Sequence, residues 1–411
     1  MTSECQLSRP DPIFGTAAAE ITPPENVPLS GFESRKTGSR GVHDPLFARA
    51  VVLDDGTTRL GWLMVDLVGI PAATTAAVRA KASALTGVPV DRIMVSCTHT
   101  HGGPALQPFP GIDADHAGHQ GWLDHLPGTL GGVLGEAAGK LEPVEVLVGA
   151  SECTDVQHNR RFHMKDGSVK MVWDNPDPAE VVRLGPIDPA VQVLAFKSGD
   201  RIRGIIAQFA CHATAVTGDN FMITADWPGV VCRELRSEPG AGELWVAAAQ
   251  GCCGDITPSP PRGTFEVCEA KGRVIAAAVR RAIDAANPVS GETLAAATIR
   301  VRLPRKNAGL DSTPTGEFYD AEVQAFRIGD VAVVGLPGEC FVGIGLAIKA
   351  ASPFRTTFVG SYTNDYDDDE LGYIPTATEY EGGYEVTASR VAPGADAILG
   401  SAAREALAKL A

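Results

Sequence analysis

No stretch of this sequence approaches the run of about 18 apolar residues that a membrane-crossing helix requires, so bilayer insertion is not expected. Positive charge is scarce: 35 Lys and Arg face 50 Asp and Glu in 411 residues, a formal net charge of −15. That balance opposes nucleic acid and anionic lipid surfaces and leaves a small molecule, neutral or cationic, as the expected partner; association of identical chains stays open. The N-terminal residues lack the basic start and apolar core of a secretory leader, so the expected location is cytoplasmic. The nine cysteines have no zinc-finger spacing, which suits small core residues in a reducing compartment. No internal repeat or linker interrupts the chain.

What is present is a globular composition, 44% hydrophobic with 45 Gly and 29 Pro, which excludes a coiled coil or a disordered chain. The pattern predicts an α/β fold: one compact domain over residues 1–411, core about 15–385, with a mixed sheet flanked by helices. Alternation predicts strands at 48–54 and 59–66 joined by Asp55-Gly56, then a helix over 71–86 with Pro at its start and Gly87 past its end. Further strands are expected at 144–149, 191–197, 201–210, 244–249, 293–303, 322–328, 331–336 and 356–361, with helices at 267–286, 341–350 and 402–411. Glycines at 118 and 121 weaken any helix in the histidine-bearing segment after Pro104, so a polar loop or lid is expected there.

The chemistry gathers where buried strands end. The segment Ile-Met-Val-Ser-Cys-Thr-His-Thr-His-Gly-Gly-Pro places His99 and His101 just past an apolar run, and residues two apart in extended chain face one side. His212 ends a second buried strand, and Glu339 follows a third, next to a helix start that favours its carboxylate form. A metal site at the carboxyl ends of strands is the expectation. Two alternatives stay open: a thiol enzyme using Cys97 or Cys253, and a calcium site in the acidic run 365–370, which otherwise reads as a solvated loop.

The Thr-His-Thr-His string, the Pro-Gly-Glu ending at Glu339 and the tyrosine segment before Ile374-Pro375-Thr376 resemble the neutral ceramidase family of zinc-dependent amidases. The resemblance implies zinc held by His99, His212, Glu339 and Tyr373, with Asp226, in Ala-Asp-Trp-Pro-Gly, orienting a ligand histidine. It implies that His101 relays a proton or stabilises an oxyanion, and that Arg160, in Asn-Arg-Arg, orients substrate, Arg161 reading equally as a solvated charge. Thr257 falls where the family carries a nucleophilic serine, in Gly-Asp-x-Ser-Pro. The immunoglobulin-like C-terminal domain of the long members is not expected here. The implied activity is amide hydrolysis, with ester or lactam cleavage beside it, of a soluble small molecule by metal-activated water. The alternatives are a carbohydrate-active or lyase-type metalloenzyme, a metal-binding protein without turnover, and a true ceramidase with Thr257 as nucleophile.

Overall fold

In the computed structural model, the residues described are 12–107, 111–237, 242–366 and 371–411. The alternating segments form β2 (Phe47–Asp54) and β3 (Arg59–Val65), antiparallel to each other and preceded by β1 (Ile13–Glu20). Their turn closes because Gly56 adopts φ 82° and Asp55 Oδ1 accepts the N–H groups of Thr57 and Thr58. Helix α1 (Ala72–Thr86) starts after Pro71 and stops at left-handed Gly87. The chain returns as β4 (Ile93–Cys97), parallel to β3.

Helix α2 (His116–Ala138) then covers the outer face of this sheet, where a polar loop or lid was expected. Asp115 caps it by accepting the Gly118 N–H, and two later glycines serve packing: a Cβ at Gly131 or Gly135 would press on Lys81 or Leu85 of α1. Close approach of two helices outweighs a propensity cost of about 1 kcal/mol per glycine. Of its histidines only His119 is buried, with Nε2 on the Ala105 carbonyl, while His116 and His125 are exposed.

The same path recurs. The second unit runs β5 (Glu145–Glu152), β6 (Ala190–Ser198), β7 (Arg201–Phe209), α3 (Asp226–Arg236), β8 (Trp245–Gln250) and α4 (Phe265–Asp284). The third runs β9 (Leu294–Lys306), β10 (Pro314–Ile328), β11 (Val331–Gly335), α5 (Val342–Ala351), β12 (Thr356–Gly360) and α6 (Ala395–Leu410). In each unit three antiparallel strands lead through a helix to a fourth strand parallel to the third, and a second helix closes the outer face. Even the edges agree, since Glu142–Pro143 adds to β1 and Asn287–Pro288 adds to β5. The repetition lies in topology alone.

Inner faces of the sheets share one core, with Phe14, Trp62, Phe196, Trp245, Phe326 and Phe358 among its members. Phe14 stacks on Phe196 across sheets, ring centroids 4.9 Å apart. Outer faces bury against their helices. Where the second helix of the first and second units crosses the first strand, a glycine admits it: a Cβ at Gly15 would collide with the Ala137 carbonyl, and one at Gly149 with the Ala282 carbonyl. Gly149→Ala is therefore expected to destabilise the protein by about 1–3 kcal/mol through overpacking. Gly121→Ala, on an open face of α2, should stabilise it by up to about 1 kcal/mol. Urea unfolding of both variants is the check.

Candidate active site

Strand exits from all three units converge. Gln250, closing β8, donates to the carbonyls of Thr98 and Cys211. Asn364, just past β12, exchanges bonds with the Val95 backbone, and the Gly254 N–H donates to the Cys340 carbonyl. This cross-linking brings His99, past β4, and His212, past β7, against Glu339, past β11. All three are buried.

His99 adopts φ 60°, which turns its ring back so that Nδ1 lies 2.7 Å from the Val68 carbonyl. His212 Nδ1 lies 2.7 and 2.8 Å from the carbonyls of Cys253 and Ile256. A carbonyl only accepts, so in each neutral ring Nδ1 carries the hydrogen and Nε2 presents a bare lone pair. Those lone pairs stand 3.2 Å (His99) and 3.1 Å (His212) from Glu339 Oε2. Burial, then Arg160, pushes the His212 pKa down to about 4. Burial alone would raise the Glu339 carboxyl, but the imidazoles of His99 and His212 outweigh it and hold the group well below the carboxylate range. Two Nε2 atoms and a carboxylate oxygen this close repel one another unless a cation, a proton or a metal ion, lies among the three. The residues fit a divalent metal with a taste for nitrogen and oxygen.

His101 completes the group, its Nε2 3.1 Å from His99 Nε2; the candidate ligand atoms of His99, His101 and His212 lie within 4.8 Å of one another. Burial, then His99, lowers its pKa well below the usual range, and its Nδ1 is buried without a hydrogen-bond partner. Tyr373 pairs in register with Glu339 across two short parallel strands, and its ring lies 6.5 Å from that of His212. Burial, then Glu339, raises its pKa, so the phenol keeps its proton.

Arg160 is buried. It donates to Glu385 Oε1 at 2.7 Å and to the Gly254 carbonyl at 2.8 Å, and it also hydrogen-bonds Tyr373. Arg161 is buried as well rather than solvated, and donates to Glu385 Oε2 at 2.7 Å. Thr257 lies in the strand Ile256–Pro258; its Oγ1 accepts from Arg262 at 2.9 Å and is 3.5 Å from Thr214 Oγ1. Among the described residues no carboxylate or imidazole bonds that hydroxyl.

Three expectations change. Asp226 spends its carboxylate on the backbone N–H groups of Ala215, Val216 and Trp227. Backbone carbonyls take its expected place on the His212 ring, while Trp227 donates to the Cys211 and His212 carbonyls. The thiol alternative loses its chemistry, because burial raises the pKa of Cys97 and Cys253 and disfavours thiolate. Asp365 is buried, accepting from Tyr319 and the Ala72 N–H, whereas residues 367–370 of the acidic run lie outside the described residues. A second candidate group, His163, Glu379 and Glu381, has Glu379 already paired with Arg161 and Arg183, which lowers its appetite for a cation.

Tyr362 and Tyr366 were not anticipated. Tyr362 stacks on His99 at 3.9 Å and donates to Glu339 Oε2 at 3.4 Å, and Tyr366 donates to Oε1 at 3.1 Å. Their signal was the one that marks the histidines, a polar-tipped residue just past a buried strand.

Fold and cluster define a class, an α/β protein of repeated mixed sheets with a buried imidazole–carboxylate centre at its strand ends. Residues 13–306 match the family described as neutral/alkaline non-lysosomal ceramidase, N-terminal, and the chain belongs to that family. It is 26% identical over 268 residues to the neutral ceramidase of Pseudomonas aeruginosa, covering 62% of this chain and 38% of that protein. With the neutral ceramidase of Mycobacterium tuberculosis it shares 22% over 339 residues, 74% of this chain and 50% of the relative. The matches therefore span half or less of these relatives' length. The crystal structure of the Pseudomonas aeruginosa enzyme has the same fold, with a TM-score of 0.81 at 21% identity over 97% of this chain and 74% of that one.

Because folding holds His212 neutral, the unfolded chain takes up the proton first as pH falls below about 6.5, and stability is lost down to about pH 4. In chelator-treated protein, His212→Gln is expected to flatten this acid limb, the two curves diverging by at most about 3 kcal/mol. Urea unfolding at a series of pH values reads the difference; parallel curves for wild type and variant would refute it.

Proposed function

We propose that this chain is a zinc-dependent hydrolase cleaving an amide bond, with ester and lactam cleavage as neighbouring chemistries, in a small soluble molecule. One observation carries the reading: two Nε2 lone pairs and a carboxylate oxygen facing one another at 3.1–3.2 Å. Zinc held by His99, His212, Glu339 and Tyr373 would polarise the scissile carbonyl and lower the pKa of the attacking water. His101, kept neutral by burial, accepts a proton from water and returns one to the leaving nitrogen. Arg160, anchored on Glu385 and Gly254, holds the Tyr373 hydroxyl in place.

The relatives are named neutral ceramidases, and a ceramidase with Thr257 as nucleophile is the second reading. The surroundings of Thr257 disfavour it, since Arg262 donates to the hydroxyl and covalent attack needs a group that removes its proton.

Purified protein is expected to hold about one zinc per chain, and His99→Ala with His212→Ala to hold none; elemental analysis decides, and unchanged content in the double variant would sink the assignment. Thr257→Ala should keep measurable amidase turnover and Thr257→Ser should be nearly neutral. Intact-protein mass spectrometry during turnover tests this, and an acyl adduct on Thr257 that forms and decays at the overall rate would overturn the water mechanism.

A further inference from the structure

Beside Thr257 the described residues hold a group of basic side chains without carboxylate partners, in a chain whose net charge is −15. Arg262, half-buried, makes one hydrogen bond, to Thr257 Oγ1 at 2.9 Å, out of the five N–H donors of a guanidinium. Lys271, on α4, is buried and donates to the Ser259 carbonyl at 2.6 Å. His158, opposite Thr257 in the strand register, has Nε2 buried without a partner. These groups repel one another: Arg262 and Lys271 both lower the pKa of His158 after burial has done so, and Arg160 acts likewise on Arg262. Asp226 is the carboxylate that offsets this at Arg262, more weakly than Arg160 acts, and its oxygens are committed to backbone N–H groups.

The position ties this basic group to the reaction centre. Thr257 follows Ile256, whose carbonyl holds the His212 ring, and Thr214, two residues past His212, lies 3.5 Å from Thr257. The loop carrying Arg262 is pinned at both ends, Ser259 N–H to the Val156 carbonyl at 3.0 Å and Gly263 N–H to the Ala215 carbonyl at 2.8 Å. The guanidinium is thus presented from a fixed backbone. Arg160 has no such freedom, being bound to Glu385, Gly254 and Tyr373.

We infer that Arg262, with His158, Lys271 and the Thr257 hydroxyl around it, receives an anionic group of the substrate, so that the preferred substrates are amides bearing a carboxylate near the scissile bond, as in N-acyl amino acids. The inference deepens the amidase reading and rests on it. A guanidinium recognises a planar carboxylate through paired N–H donors, which a neutral amide or alcohol cannot match.

The test compares N-benzoylglycine with uncharged N-benzoylglycinamide by titration calorimetry on zinc-loaded wild type, Arg262→Gln and Arg262→Lys. Wild type is expected to bind the acid about 10- to 100-fold tighter than the amide, the range of one charge-assisted hydrogen-bond pair. Arg262→Gln should erase that preference, and Arg262→Lys should retain part of it. Equal binding of the two compounds by wild type, binding of neither, or a preference that survives Arg262→Gln overturns the inference. The wild-type comparison stands whether or not the variants fold. Release of glycine or glycinamide is followed in parallel: acid preference without turnover keeps the anion pocket and removes the amidase reading, while turnover without acid preference does the reverse.

Discussion

The centre depends on backbone carbonyls rather than on side-chain acids. Val68 holds Nδ1 of His99, and Cys253 with Ile256 holds Nδ1 of His212. A carbonyl cannot give up a proton, so it fixes the tautomer and turns each Nε2 lone pair toward Glu339. A carboxylate partner would have added charge, whereas the carbonyls orient the rings and leave Glu339 as the anion between them. Tyr362 and Tyr366 then supply the hydrogen bonds that a buried carboxylate needs.

Those carbonyls are in position because strand exits from different sheets bond one another. Val68 belongs to the exit of β3 and Cys253 to the exit of β8, so each ring is held by a neighbouring strand of the unit that carries it. Glu339 arrives from the third unit, where left-handed Gly338 turns the chain and Asp255 takes the Val342 N–H at the start of α5. His99, His212 and Glu339 therefore come from three different units, and Tyr373 joins Glu339 from the third.

The strands and most helices were legible because the sheets are buried on one or both faces, and buried strands read as apolar runs closed by turn residues. His99, His212 and Glu339 were legible for the same reason, as polar residues where such runs stop. Helix α2 was hidden because Gly118 and Gly121 lower its propensity, while what holds it, the Asp115 cap and the approach of Gly131 and Gly135 to α1, is invisible to propensity. Asp226 was misread because its short side chain can bond its own turn, as Asp commonly does, and nothing local separates that from reaching a histidine. Tyr362 and Tyr366 were given no role, because nothing local separates a tyrosine that reaches a carboxylate from any other buried ring. The repeated topology escaped because the third strands of the units, ending in Trp-Leu-Met-Val, Ile-Ala-Gln-Phe and Ala-Val-Val-Gly, share only their hydrophobicity.

The span recognised as family, residues 13–306, ends with β9. That limit falls inside the third sheet, whose remaining strands follow it, and ahead of Glu339 and Tyr373. A fragment cut there would keep both histidines and lose their anion, and it would strand β9, 13 residues long, with its partner β10 removed. An unpaired strand of that length is a template for adhesion to other chains. The matched segment is thus not a unit that can be excised.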